Sequence, residues 1–271
     1  MKWIIALNES NNKIYNNEKY EKFALVAIHS ALKNAPGLES YLIYNGAPNH
    51  FTEKAIKLGS QVIFHKLSFQ DEIDAQKNRD DIWKQIAKGA MLRLDLPEIL
   101  DVDQTILYTD TDVMFLSDPS KYLLETSSFA VGPEFDINNF HKINTGSMLI
   151  NLKNIRKSFQ DLRSWMINSL EWIPDYDQGA IQHYFDGKWD RLDPRMNWKP
   201  YWGMKDDAII IHFHGPKPLD FEEANKSPLF KEGIYDLLYK SNPKGYEYYL
   251  SYWFDLHNEY FEKFKKYPIY N

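Results

Sequence analysis

The 271-residue chain is expected to fold as an α/β domain around a parallel sheet. Through its first half, short apolar runs of β-type residues are separated by helical stretches, the pattern of βαβ units whose crossovers cover both sheet faces. No composition shift, linker or internal repeat divides the sequence, so a single domain from 1 to 271 is expected. From about residue 220 onward the chain reads as a helical, aromatic-rich extension of that domain.

WIIAL, Trp3 to Leu7, opens the chain as a buried strand, and the polar NESNNKIYNN follows as a loop. From Glu18, Tyr20, Phe23, Ala24, Ala27, Ile28 and Ala31 recur at threes and fours; the helix they define ends before Pro36-Gly37. SYLIYNG (40–46) is a strand closed by a turn, a shorter helix spans about Thr52 to Leu58, and QVIFH (61–65) is a third strand. Residues 80 to 95 read as one helix with Trp83, Ile86, Ala87, Ala90, Met91 and Leu94 on one face. TILYT (105–109) is the fourth strand. The second half is less regular. SFAVG and SMLINL read as strands, about Lys153 to Leu170 as a long helix, YDQGAIQHYF as a short helix and RLDPRMNW as irregular. AIIIHFHGPKP carries the last strand into a Gly-Pro loop, and helices follow from Pro228.

Composition excludes several function classes. A net charge of −6 with no basic stripe argues against nucleic-acid binding. The absence of cysteine removes disulfides, thiolate metal sites and cysteine nucleophiles, and suits a reducing compartment. MKWIIALNES reaches Asn8 and Glu9 too soon for a signal peptide, and no apolar run approaches the roughly 18 residues of a membrane span. A cytoplasmic location follows as the expectation. The 8 Trp, 18 Tyr and 16 Phe suit stacking on sugar or base rings but chiefly a filled core.

The chemistry concentrates in YTDTDVMF. Asp110 and Asp112 stand two apart at the carboxyl end of a buried strand, where open α/β sheets bind ligands. Carboxylates that close repel unless a cation or proton lies between them. Hard divalent cations take such oxygen ligands, and Mn²⁺ accepts an imidazole beside them. IHFHG offers His212 and His214 at the end of another apolar strand, with Gly215 and Lys217 beyond as a turn and a cation suited to phosphate.

With five blocks in order over roughly residues 1 to 218, the chain resembles the retaining glycosyltransferases of family 8, the group containing glycogenin and bacterial lipooligosaccharide galactosyltransferases. The blocks are NEKYEKFALVAIHSALKN, MLRLDLPEIL with TILYTDTDVMF, INTGSMLINL, YDQGAIQ and HFHGPKP. The resemblance implies a GT-A fold, a Rossmann-like nucleotide-sugar-binding architecture with a mainly parallel mixed central sheet flanked by helices. It also implies a UDP-hexose donor, glucose or galactose, and Mn²⁺, with Mg²⁺ as the substitute. Asp110, Asp112 and His212 would be the metal ligands. Ala6, Leu7, Asn8 and Tyr20 would form the uridine pocket, while Arg93, Asp110 and Thr111 would hold the donor. Asn144, Thr145 and Gly146 would lie along the donor sugar; His214, Gly215 and Lys217 would meet the donor too, the last two at its diphosphate. Asp177 and Gln178 would stand at the anomeric carbon as the catalytic pair. The acceptor would be a glycan or lipid-linked glycan hydroxyl, attacked from the front face with the donor phosphate taking the proton. Four departures stand out: a longer first loop, one residue fewer between Gly215 and Lys217, a second histidine at 214, and Gln182 where the family often has Asn.

Blander roles compete for single residues. Arg93 fits a surface ion pair, Asn144 a turn, Asp177 a helix N-cap, and His29, His65, His141 and His183 structural or surface positions. The tail YEYYLSYWFDLHNEYFEKFKKYP, with Lys263, Lys265 and Lys266, suits packing on the domain or peripheral contact with a membrane. ILYTDTDVMF also resembles the motif of haloacid-dehalogenase-like phosphatases, with Asp110 as nucleophile, though that motif usually stands near the N-terminus. A non-catalytic glycan-binding module is the third reading.

Overall fold

The computed structural model describes residues 1–9, 17–223 and 233–261. Strand β1 (Lys2–Asn8) is apolar from Trp3 to Leu7 because both its faces are covered. It lies in register beside β2 (Glu39–Asn45), which pairs with β3 (Gln61–Phe64). The crossovers are α1 (Asn17–Asn34) and α2 (His50–Lys57); Asn49 and Thr52 close the start of α2 with a reciprocal capping box. On its other edge β1 meets β4 (Thr105–Thr109), and all three of these pairings are parallel.

The chain from β3 to β4 departs from one long helix. A short α3 (Gln70–Asp74) precedes α4 (Asp81–Ala90), Met91–Asp95 tightens into a 3₁₀ turn, and α5 (Leu96–Ile99) follows with a proline in its first turn. The tightened turn brings all five of its residues, Arg93 and Asp95 included, into the interior. A continuous 3.6-residue period would have left one face outside.

Beyond β4 the sheet becomes mixed. β6 (Phe129–Pro133) and β7 (Ile143–Asn151) extend it in the order β3-β2-β1-β4-β7-β6-β8, where β8 is Asp190–Arg191. β7 runs antiparallel to both β4 and β6. INTG therefore belongs to a strand rather than a turn, and the reading of SMLINL is lengthened backward to Ile143. The expected helix at 153–170 is two, α6 (Leu152–Ile155), capped by the Asn151 side chain, and α7 (Phe159–Ser169). Helix α8 (Tyr176–Phe185) holds YDQGAIQHYF.

The last strand does not join the central sheet. β9 (Ile210–His212) pairs antiparallel with β5 (Val113–Phe115), a strand that begins one residue after Asp112. After it come α9 (Pro218–Glu223), α10 (Ile234–Ser241) and α11 (Pro243–Phe261). Helix α11 turns Tyr246, Tyr249, Leu250, Trp253 and Phe254 onto a core shared with Phe23 and Val26 of α1 and with Phe213. The aromatic tail thus packs on the domain as far as Phe261; Lys263, Lys265 and Lys266 lie outside the described residues, as does most of the first loop. Among the described residues no helix is long and apolar enough to cross a membrane.

Trp253 is fully buried, edge-on to Phe23 at 5.8 Å. Trp253→Ala is therefore expected to cost about 3–5 kcal/mol of stability in urea unfolding. Tyr252→Ala, on the exposed face of the same helix, should stay within about 1 kcal/mol.

Candidate functional site

A cavity of about 460 Å³ opens at the carboxyl ends of β1 and β4, where β7 enters the sheet from the opposite direction. Ala6, Leu7 and Asn8 from β1, Tyr20 from α1, Arg93 from the 3₁₀ turn, and Asp110, Thr111 and Asp112 line it. Asn144 and Thr145 of β7, Asp177 and Gln178 of α8, and His212, His214 and Lys217 complete the expected set. Gly146 and Gly215 stand behind the lining.

Asp110, Asp112 and His212 each offer a ligand atom within 4.8 Å of the others. The antiparallel register of β5 and β9 sets Val113 opposite His212, which delivers the imidazole to the D-x-D turn. His212 Nε2 lies 3.5 Å from Asp112 Oδ1 and 3.8 Å from Asp110 Oδ2. Its Nδ1 faces two oxygens, Asn144 Oδ1 at 3.1 Å and Asn197 Oδ1 at 3.0 Å. Nδ1 therefore carries the proton, and the Nε2 lone pair points at the carboxylates, the tautomer a metal requires. Two hard oxygens and one imidazole nitrogen fit a divalent cation such as Mn²⁺. His214 is placed otherwise: its Nδ1 is 3.0 Å from the Tyr201 hydroxyl, and burial first, then the neighbouring His212, holds it well below the ordinary imidazole pKa.

The outer oxygen of each carboxylate meets a cation. Asp110 Oδ1 accepts a hydrogen bond from Arg93 Nη2 at 2.5 Å, and Asp112 Oδ2 accepts one from Lys217 Nζ. Burial opposes ionisation of Asp112, but Lys217 and then His212 pull its pKa well below the usual carboxylate range. Gly215, at φ +91°, turns the chain after β9 so that Lys217 can come back to Asp112.

Arg93 is not a surface charge. Burial works against its positive form, yet Asp110 and Asp177 outweigh that and raise its pKa. Its Nε lies 3.1 Å from Asp177 Oδ2, which also accepts from Thr145 Oγ1 at 2.9 Å. Asp177 therefore faces inward instead of capping α8, whose N-cap is Asp175. Burial pushes the Asp177 carboxyl up to about 6, against the pull of Arg93. Gln178 accepts from Asn144 Nδ2 and donates to Glu134 Oε1, joining the network around His212 to a further carboxylate.

Of the remaining histidines, His65 pairs with buried Asp95, His29 with Glu259, and His183 with the Gly179 carbonyl; none of these, nor His141, lines the cavity. Sequence reading missed Gln85, Tyr108, Glu134, Asp175, Tyr176 and Tyr235 of the lining, and Asn197 behind it. Asn197 was legible only as part of an irregular segment, and Glu134 lay beyond the strand read at SFAVG with nothing to mark it.

The chain matches the sequence model of Glycosyl transferase family 8 over residues 14–218. No curated protein matches it. Among solved structures it is similar to the apo form of the glycosyltransferase GlyE of Streptococcus pneumoniae TIGR4, with a TM-score of 0.62 at 18% identity, over 98% of this chain and 64% of that one. It thus spans just under two thirds of the length of GlyE. The galactosyltransferase LgtC in complex with donor and acceptor sugar analogues aligns with a TM-score of 0.60 at 17% identity, over 80% of this chain and 89% of that one. Mouse xyloside xylosyltransferase 1 aligns at 0.56 and 14% identity, over 79% and 98%. The shared feature is the GT-A fold.

A methyl group on Gly146 would lie 2.0 Å from His212 Cε1. Gly146→Ala is expected to displace the imidazole and weaken Mn²⁺ binding by about 10–100-fold, read by calorimetry or by the Mn²⁺ resonance spectrum. Asp177 yields a pH dependence. Its folded pKa of about 6 stands above the unfolded value of about 3.9, so between them the folded state binds more protons and stability falls as pH rises. Relative to wild type, Asp177→Asn should remove a decline of at most about 3 kcal/mol between pH 4 and pH 7, measured as unfolding free energy.

Proposed function

The chain belongs to glycosyltransferase family 8, and from that premise we propose that it moves a hexose, glucose or galactose, from UDP to an acceptor hydroxyl with retained anomeric configuration. The acceptor is a glycan or lipid-linked glycan, and the reaction runs in the cytoplasm. The observation that carries the reading is the convergence of Asp110, Asp112 and His212 with Lys217 and Arg93 at one mouth of the sheet. A divalent cation held by the first three supplies charge neutralisation for the departing diphosphate.

The chain's own residues do the rest. Lys217, on a short tether from the Gly215 turn, exchanges its contact with Asp112 for the diphosphate oxygens. Arg93 holds Asp110 in place and keeps one of its oxygens turned toward His212. Ala6, Leu7, Asn8 and Tyr20 frame the uridine; Asn8 is already oriented by Gln85 and Asn45. Asn144, Thr145 and Gln178 meet the sugar hydroxyls. As the C1–oxygen bond to UDP breaks, the acceptor oxygen bonds to C1 from the same face, and its proton passes to the leaving phosphate oxygen. Asp177 lies on the opposite face, but its carboxylate is engaged by Arg93 and Thr145, which makes it a weak nucleophile and favours front-face attack. LgtC is a galactosyltransferase and the mouse enzyme a xylosyltransferase, so the fold alone does not select the sugar.

The test is UDP release from a panel of UDP-hexoses with and without Mn²⁺, on wild type and Asp112→Asn. Expected is metal-dependent turnover that the substitution lowers by about 10²–10³-fold. Turnover that ignores metal or the substitution overturns the reading. Phosphate release from a phosphomonoester, lost in Asp110→Asn, would establish the phosphatase alternative instead.

A further inference from the structure

We propose that the outer wall of the cavity, Tyr176 backed by Trp83 with Asp175 and Glu134 beside it, binds the acceptor as an uncharged pyranose ring stacked on the tyrosine. The word acceptor rests on the transfer reading above; the sugar site itself rests on four observations.

The backbone is strained where Tyr176 is presented. Asp175 and Tyr176 both take left-handed conformations, φ 52° and 53°, and among the described residues only Asp186 joins them outside glycine. The left-handed region is unfavourable outside glycine, and for a bulky aromatic it is rare. Strain of this kind persists where the surroundings enforce it.

The surroundings do enforce it. Arg79 donates to the carbonyls of Leu170 and Ile173 just before the turn, at 3.1 and 3.0 Å. Gly179 leaves room for the Pro174 carbonyl oxygen, which a Cβ there would approach to 1.7 Å. The result is a layered stack facing the cavity. The Arg79 guanidinium lies 4.4 Å over the Trp83 ring, and Trp83 lies 5.6 Å from Tyr176 at 30°. Tyr176 remains half-buried and lines the cavity one residue before the Asp177-Gln178 pair.

The charge of the lining selects the ligand. Among the described residues five carboxylates line the cavity, Asp110, Asp112, Glu134, Asp175 and Asp177, against two fixed cations, Arg93 and Lys217. Arg93 pairs with Asp110 and Asp177, and Lys217 with Asp112. Both are thus engaged, and the cations near Glu134 and Asp175 are committed as well, Lys199 to the Pro133 carbonyl and Arg79 to the carbonyls of Leu170 and Ile173. A phosphate or uronate there would meet like charge, whereas hydroxyl groups would donate to the carboxylates.

The opposite edge of this wall is rigid. Three successive carbonyls, of Pro133, Glu134 and Phe135, accept from Lys199 Nζ at 2.6 Å, the Tyr201 hydroxyl at 2.7 Å and Trp202 Nε1 at 2.7 Å. Glu134 is thereby held at a fixed height beside Gln178. An aromatic ring with a fixed acceptor at Glu134 and a second carboxylate at Asp175 matches a pyranose, whose axial C–H groups pack on rings while its equatorial hydroxyls reach outward.

The experiment is saturation-transfer NMR on the full chain without donor, using methyl hexopyranosides and methyl hexuronates as probes. Wild type is expected to bind at least one hexoside in the millimolar range and the corresponding uronate more weakly. Tyr176→Ala should weaken the hexoside about tenfold, Tyr176→Phe should restore it because the ring face is kept, and Asp175→Asn with Glu134→Gln should erase discrimination against the uronate. Hexoside binding untouched in a folded Tyr176→Ala, uronates bound as tightly as hexosides by wild type, or no hexoside binding at tens of millimolar each overturns the proposal. If Tyr176→Ala fails to fold, the double carboxamide variant and the wild-type comparison decide alone. Failure of Mn²⁺-dependent UDP-hexose turnover would sink the transfer reading while leaving this sugar site standing.

Discussion

Arg93 keeps only 4% of its side chain exposed, so its charge has to be answered inside the protein. Asp110 at the end of β4, Asp177 at the start of α8, the Thr145 carbonyl in β7 and the Ala90 carbonyl at the end of α4 answer it, and the Tyr108 ring lies 4.3 Å from the guanidinium. Four segments distant in sequence therefore have to meet at one point. Any arrangement that left one of them away would strand a buried charge, at a cost of several kcal/mol. The cavity is the space this convergence leaves open on its solvent side.

The same electrostatics explain why two adjacent carboxylates can stand in a largely buried site. Each gives one oxygen to a cation of the protein, Arg93 or Lys217, and turns the other toward His212. The cations orient the acids, and Lys217 keeps Asp112 ionised, without filling the space among their inner oxygens. His212 is oriented in turn by Asn144 and Asn197, and Gly146 leaves room for its ring. Preorganisation is thus spread over residues that never touch the reacting atoms. A loose imidazole would have to be ordered at the moment of binding.

Strain appears on the opposite side of the cavity. The αL pair Asp175-Tyr176 sets the direction from which α8 starts, and so sends Asp177 inward to Arg93 instead of letting it cap its own helix. Packing enforces this conformation through Arg79, Pro174 and Gly179. The wall that this geometry creates has a chemistry unlike the Asp110–Asp112–His212 side: aromatic, acidic and with its nearby cations already engaged.

Local patterns were sufficient for the frame. Apolar runs, spacing at threes and fours and Pro-Gly stops placed β1 to β4, α1 and α8 to within a few residues, because those signals depend on near neighbours. Motif order was enough to bring together Asp110, Asp112, His212, Asn144 and Asp177. What the sequence could not determine depends on partners far along the chain. That MLRLD tightens into a 3₁₀ turn follows from where Arg93 finds its acids, and that INTG is strand follows from pairing with the end of β6. The resemblance had already pointed to His212 over His214; how the imidazole reaches the carboxylates depends on the register of β9 on β5, a strand of three residues too short to read. Glu134, Tyr176 and Asn197 carry no local mark at all; only the closed chain sets them against the cavity, because side-chain direction there is decided by packing and not by the residue's neighbours in sequence.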